Sequence, residues 1–259
     1  MKRSSLTLLF AALAASAIPS SLAQTPQDEV HAPSGGTSMM VQSIAVPPLQ
    51  NAPFTATVST SWVRSLDDGA TVTIQNHRTI ARDNAGRIYQ ERRNLYPQGD
   101  PRESDIRQIE LSDPATQMIY YCRPDQRTCE IRAYYGRTSP ASIVPAGPVD
   151  GGRGFLVREP LGRDSVSGVE VTGTRETTTL SAGTIGNDQP ISIVKEFWYS
   201  PQLGINMIEK RKDPRVGVQS FTVSDIVLSE PDARLFDVPA GFRIVDTRKP
   251  GQVGGAASN

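Results

Sequence analysis

A chain of 259 residues that holds only two histidines and two cysteines has little to build an active site from. Hydrolysis of the Ser-His-Asp or Cys-His kind needs a base placed to take a proton. His31 lies in a stretch without strand or helix period. His77 alternates with Thr73, Gln75 and Thr79, which reads as the polar face of a strand. Cys122 and Cys129 flank a Pro124-Asp125 turn signal between two strand-like runs. Their spacing is not that of a CxxC redox motif, and neither has a histidine nearby. We expect them to close a hairpin as a disulfide, with Tyr120 opposite Ile131 and Met118 opposite Ala133 on the same face. That leaves no conventional zinc set. Asp67-Asp68-Gly69 is too short for a calcium loop and reads as a turn. Gly147 to Gly154 is glycine-rich but lacks the Lys-Ser/Thr of a phosphate loop, so it reads as a flexible connection or a flap. The expectation is no catalytic residue, no metal and no cofactor. Carboxylates paired only in space, as in a glycosidase-like hydrolase, stay open as an alternative.

Charge excludes other partners. Lysine plus arginine and aspartate plus glutamate number 27 each. Between Arg78 and Arg137, eleven arginines meet nine acids, interleaved with tyrosines. So slight an excess offers no electrostatic footprint for nucleic acid. Met1 to Ala23 follows the secretory pattern: Lys2 and Arg3, an apolar run from Leu6 to Ala17, then Ser21-Leu22-Ala23 before Gln24. The run is shorter than the roughly 20 residues needed to span a bilayer. The expectation is an exported chain, periplasmic or secreted, and not an integral membrane protein.

The elements that must position any site are strands. Residues 24–52 read as a flexible Pro/Ser-rich lead-in, 53–247 as a single antiparallel β domain and 248–259 as a flexible tail. Phe54, Ala56, Val58, Thr60 and Trp62 alternate with Thr55, Thr57, Ser59 and Ser61, a half-buried strand of period two. Further runs recur about every 8–12 residues with turn signals between them. Val166 to Leu180 reads as one strand, as do 191–199, 205–212 and 218–228. A hairpin turning at Ser200 to Gly204 sets Phe197 near Met207 and Lys195 near Glu209. Pro231 to Phe236 reads as one helical turn. Apolar residues on both faces, Ile193, Phe197 and Tyr199 against Val194 and Trp198, call for a second layer or a sheet curled around a cavity.

Several C-terminal motifs carry a resemblance: Gly183 to Asp188, Glu196 to Pro201, Asp213-Pro214-Arg215, Glu230-Pro231-Asp232, and Leu235 to Phe242. This pattern is similar to that of the periplasmic lipoprotein-carrier superfamily over about Val169 to Val245. That superfamily includes the lipoprotein carrier, mycobacterial lipid-binding lipoproteins and the sensor domain of an envelope stress regulator. The resemblance implies an all-β fold: a strongly curved, incompletely closed antiparallel sheet, or half-barrel, whose concave face takes acyl chains. It makes Glu196 to Phe242 the closing edge of the sheet. The chain departs from the carriers in showing little amphipathic helix to plug that face. The leading reading is a non-enzymatic binding protein for a lipid or lipoprotein acyl chain, with Trp62, Phe197, Trp198, Met207 and Phe221 as candidate cavity residues. An envelope protein-interaction or stress-sensing module, using the tyrosine-rich hairpin from Tyr120 to Tyr135, stays open beside it.

Overall fold

The computed structural model describes residues 34–36, 42–100, 104–134 and 144–248. The segment 1–23 read as a secretory signal, His31, Tyr135 at the end of the tyrosine-rich hairpin and the tail from 249 onward lie outside the described residues. Strand periodicity dominates the rest. β1 (Ser34–Gly36) and β2 (Gln42–Ile44) pair as a small ribbon. The first half of the domain holds β3 (Phe54–Ser65), β4 (Thr71–Arg82), β5 (Ile88–Arg93), β6 (Tyr96–Pro97), β7 (Ile106–Asp113), β8 (Met118–Arg123) and β9 (Thr128–Ala133). The second half holds β10 (Gly147–Val149), β11 (Gly154–Val166), β12 (Val169–Leu180), β13 (Ile191–Ser200), β14 (Ile205–Asp213), β15 (Gly217–Val227) and β16 (Arg243–Asp246).

All but the first two strands form one 14-stranded sheet in the order β10-β11-β12-β13-β14-β15-β3-β4-β5-β7-β8-β9-β16, with β6 attached to β4. Two meanders are thus joined through β15 and β3, and β16 closes the far side by pairing parallel to β9. The sheet has two edges and is not closed into a barrel. Its curvature follows from connectivity. Eleven interstrand steps separate β10 from β9, about 53 Å if the sheet were flat. Thirteen residues lead from Tyr134 to Gly147, which reach at most about 47 Å. The sheet must therefore curl.

Several local expectations change. Glu196 to Phe242 is not an edge: β13, β14 and β15 sit in the middle of the sheet. The β13–β14 register also differs. Ser200 pairs Ile205 and Tyr199 pairs Asn206, after which a bulge shifts the partners. Phe197 consequently faces Glu209 instead of Met207, and Lys195 faces Arg211 instead of Glu209. The alternation of side chains could not reveal the extra residue that a bulge inserts. The strand read from Val166 is two strands turning at Ser167-Gly168, with Gly168 at φ +79°. β11 went unread because Pro160 and Gly162 break its pattern; the structure absorbs both at a bulge. The glycine-rich stretch contributes β10 to the edge. The helical turn is present, as a 3-10 turn at Ala233–Phe236 capped by the Asp232 carboxylate, which accepts from the Arg234 NH (3.0 Å).

Two layers of packing cover the sheet. Residues 44–52, which the sequence places in the lead-in, lie against one face, and Ile44 and Val46 are buried there beside Phe54, Val58, Met207, Phe221 and Val223. We call this the inner face. On the opposite face of β4–β9, the segment from Leu228 to Phe242 crosses to reach β9. Its Phe236 packs with Ala81, Tyr89, Leu111 and the Cys122–Cys129 disulfide. The register of that hairpin pairs Tyr120 with Ile131 and Met118 with Ala133, as the sequence predicts.

Candidate functional site

The inner face is built by β3 and its neighbours. Because side chains alternate along a strand, Phe54, Ala56, Val58, Thr60 and Trp62 all point inward. Register places Val223, Phe221 and Gln219 of β15 beside Val58, Thr60 and Trp62. On the other side it places Ile80, Arg78 and Asn76 of β4 beside Ala56, Val58 and Thr60. β14 continues the rows, with Glu209 next to Phe221 and Arg211 next to Gln219. The face therefore changes character along the strands. One end is apolar: Phe54, Ala56, Val58, Ile80, Ile88, Ile205 and Val223. The other is polar yet buried: Thr60, Asn76, Arg78, Glu209 and Gln219.

Two arginines mark the apolar end and the boundary. Arg82 is fully buried, its guanidinium donating to the carbonyls of Ala52 (2.9 Å), Pro47 (2.9 Å) and Leu203 (2.8 Å) while lying over the Phe54 ring. Burial pulls its pKa down to about 10. Arg78 donates to the carbonyl of Ile44 (3.1 Å) and contacts the amide oxygen of Gln90 (3.4 Å). Among the described residues no carboxylate accepts a hydrogen bond from it. Burial, together with the nearby charge of Arg92, lowers its pKa to about 9. In the polar half, Asn76 Oδ1 and Arg211 Nε are buried with no hydrogen-bond partner among the described residues.

The five candidate cavity residues fall on or beside this face. Met207 and Phe221 lie in its apolar cluster, with Trp198 packed partly buried against it. Phe197 is 1% exposed, facing Glu209, and Trp62 is 7% exposed, its indole NH donating to Val216 O (2.7 Å). Gly173 gives Trp198 its place: a Cβ there would come within 2.7 Å of the indole. The buried arginines, asparagine and glutamine were missed by the sequence reading. Their inward positions in the alternation of β4 and β15 were the available signal.

Several carboxylates elsewhere are held by arginines. Asp83 binds Arg87 (2.6 Å). Glu91 accepts from Arg93 (2.7 Å), Tyr89 (3.0 Å) and the Thr79 NH (3.0 Å), which β5 leaves open by parting from β4. Burial by itself would raise the Glu91 pKa; hydrogen bonds from Arg93, Thr79 and Tyr89 turn the net shift downward. His77 sits exposed with Ser59 Oγ 2.9 Å from its Nδ1, and among the described residues no carboxylate orients the ring.

Asp213, the acid of the Asp213-Pro214-Arg215 motif, is a turn clamp. It accepts from Arg215 Nη2 (2.7 Å), Arg211 Nη2 (2.9 Å) and the Arg215 NH (3.1 Å). These bonds, Arg215's side chain foremost, pull its pKa down to about 2. A carboxylate whose folded pKa lies below its unfolded value of about 3.9 stabilises the fold above that value. The contribution disappears as pH falls toward 2. Since the Arg215 side chain is 41% exposed, water screens the pair and the contribution is about 1–2 kcal/mol. Urea titrations between pH 6 and pH 2 should show a steeper acid loss in the native chain than in Asp213→Asn; parallel curves would refute the clamp.

No protein-family model matches the sequence, and no curated protein matches it. Solved structures similar to it include an uncharacterized conserved protein from Thermus thermophilus (10% identity, 75% of this chain and 90% of that one, TM-score 0.36). The MucA/MucB complex of Pseudomonas aeruginosa supplies another (13% identity, 76% and 59%, TM-score 0.37). A third is a LolA superfamily protein from Nitrosomonas europaea (10% identity, 73% and 91%, TM-score 0.29). The match spans about three fifths of the MucB-complex chain's length. Among the described residues no helix is long and apolar enough to cross a membrane.

Proposed function

We propose that this chain is a non-enzymatic exported binding protein that holds the acyl chain of a lipid or lipoprotein against the inner face of its curved sheet. The observation that carries the reading is the change of that face from apolar to polar along the same strands. Phe54, Val58, Phe221 and Val223 offer a surface for hydrocarbon, worth about 25 cal/mol for each Å² covered. Beyond them, Arg78, Asn76 Oδ1 and Arg211 Nε are placed to take a polar headgroup. The apolar end is covered by the segment Ile44 to Leu49, tied down at the Ile44 and Pro47 carbonyls by Arg78 and Arg82. Binding in this reading exchanges Ile44 and Val46 for the ligand chain.

Native mass spectrometry of the exported protein should find a co-purifying amphiphile released by organic solvent. Phosphatidylglycerol added to stripped protein at about 100 times its Kd should stabilise the fold by about 2.7 kcal/mol, raising Tm by about 5–10 °C. Replacing Ile44 and Val46 with serine should lower Tm without ligand and tighten phosphatidylglycerol binding. No bound amphiphile together with an unmoved Tm would reject the reading. A second reading, a surface for an envelope protein partner, draws support from a pocket on the opposite face beside Met118 and Tyr120.

A further inference from the structure

A pocket of about 250 Å³ opens where the crossing segment passes the β7–β8 turn. Of the inner-face cluster only Ile88 reaches its lining, and none of Trp62, Phe197, Trp198, Met207 or Phe221 does. Its walls are Leu111, Met118, Tyr120 and Phe236, and two carboxylates, Asp113 and Asp237, stand among them. Sites for drug-sized molecules run to about 300–1,000 Å³. This volume suits one long side chain and is too small for an acyl chain.

The charges around it are not equivalent. Arg87 also lines the pocket, but its guanidinium is neutralised by Asp83 at 2.6 Å and lies 4.9 Å from the centroid of the Phe236 ring. Asp113 uses Oδ1 to cap the turn, accepting from the Ala115 NH (2.8 Å) and the Thr116 NH (3.3 Å). Its Oδ2 is left without a hydrogen bond among the described residues. Asp237 is exposed, and its side chain likewise has no partner among them. Two uncompensated carboxylates above aromatic and aliphatic walls match a side chain with an apolar stem and a cationic head. Arginine and lysine bury such stems and keep the charge at the rim, and a cation beside Tyr120 gains from the ring face.

We propose that this pocket is a docking site for a basic side chain, arginine or lysine, presented by an extended segment of a partner protein. The stem lies against Leu111, Met118 and Phe236, and the head pairs with Asp113 Oδ2 and Asp237. The site lies on the far side of the sheet from the inner face, so a partner can engage it whether or not that face is occupied.

The test is fluorescence anisotropy at low salt with a fluorescein-labelled Ala-Ala-Arg-Ala-Ala peptide. Analogues carrying citrulline, which keeps the shape without the charge, or glutamate at the centre serve as controls. The arginine peptide should bind at least about tenfold more tightly than the citrulline one, an electrostatic difference that added salt reduces. The double substitution Asp113→Asn with Asp237→Asn should remove that preference. Asparagine keeps the Oδ1 acceptor that caps the turn, so Tm should stay unchanged and a loss of binding cannot be ascribed to unfolding. Equal affinity for the arginine and citrulline peptides, or a preference that survives the double substitution, would overturn the assignment. Phosphatidylglycerol binding should be the same in the double variant, which keeps this test independent of the lipid reading.

Discussion

Arg82→Met should destabilise the protein by about 3 kcal/mol, with Arg82→Lys recovering less than half of the loss. The native guanidinium is completely buried and satisfies three carbonyls, those of Ala52, Pro47 and Leu203. A buried carbonyl left without a donor costs about 1–3 kcal/mol, so three together exceed the observed range of most point mutations. Part of that cost is offset, because methionine relieves the desolvation of a buried cation. Lysine keeps the charge but presents a single strongly hydrated ammonium, which cannot reproduce a planar fork reaching three separate carbonyls. Urea unfolding of the three proteins at neutral pH measures the difference. A loss under about 1 kcal/mol for the methionine variant would mean that residues 44–52 are not fastened to the sheet through this residue.

Phe236→Ala should cost about 3–4 kcal/mol and should loosen the far edge of the sheet before its centre. The ring is 9% exposed, packs against Ala81, Tyr89, Leu111 and the disulfide, and carries the Arg87 guanidinium on its face. Removing a buried phenylalanine forfeits its transfer energy and leaves a cavity; the cation–π contact adds about 0.5–1 kcal/mol. Phe236 also anchors the crossing that brings β16 to β9. Hydrogen exchange in the variant should therefore accelerate at Arg243 to Asp246 while β3 and β15 stay protected, since local openings follow the packing that is lost. Uniform acceleration across the sheet would show that the crossing is not a separable anchor. Trp198→Ala should cost less than a fully buried tryptophan, because this indole is only partly covered.

Much of this protein was legible in its residues. Period-two alternation from Phe54 to Trp62 determined a half-buried strand and which side chains face inward. Asp232 and Pro231 marked the short turn that carries Phe236, and the Cys122–Cys129 spacing around Pro124-Asp125 determined a hairpin and its pairing. These are local matters: side-chain parity, turn chemistry and caps act over a few residues. Three things were decided only by the tertiary structure. The hairpin closes with Ser200 opposite Ile205, one residue from the expected register, and the bulge between Trp198 and Tyr199 adds a second, so Phe197 faces Glu209 and not Met207. The pairing of β15 with β3 put Glu196 to Phe242 in the middle of the sheet, a choice made between strands more than 150 residues apart. And Ile44 and Val46, in a stretch of weak pattern, joined the core through carbonyls that any sequence carries, so nothing in their residue types announced it. The candidate site follows the same division. Alternation selected the inward positions, while only the register of four neighbouring strands could gather Asn76, Arg78, Gln219 and Glu209 into one polar half of an otherwise apolar face.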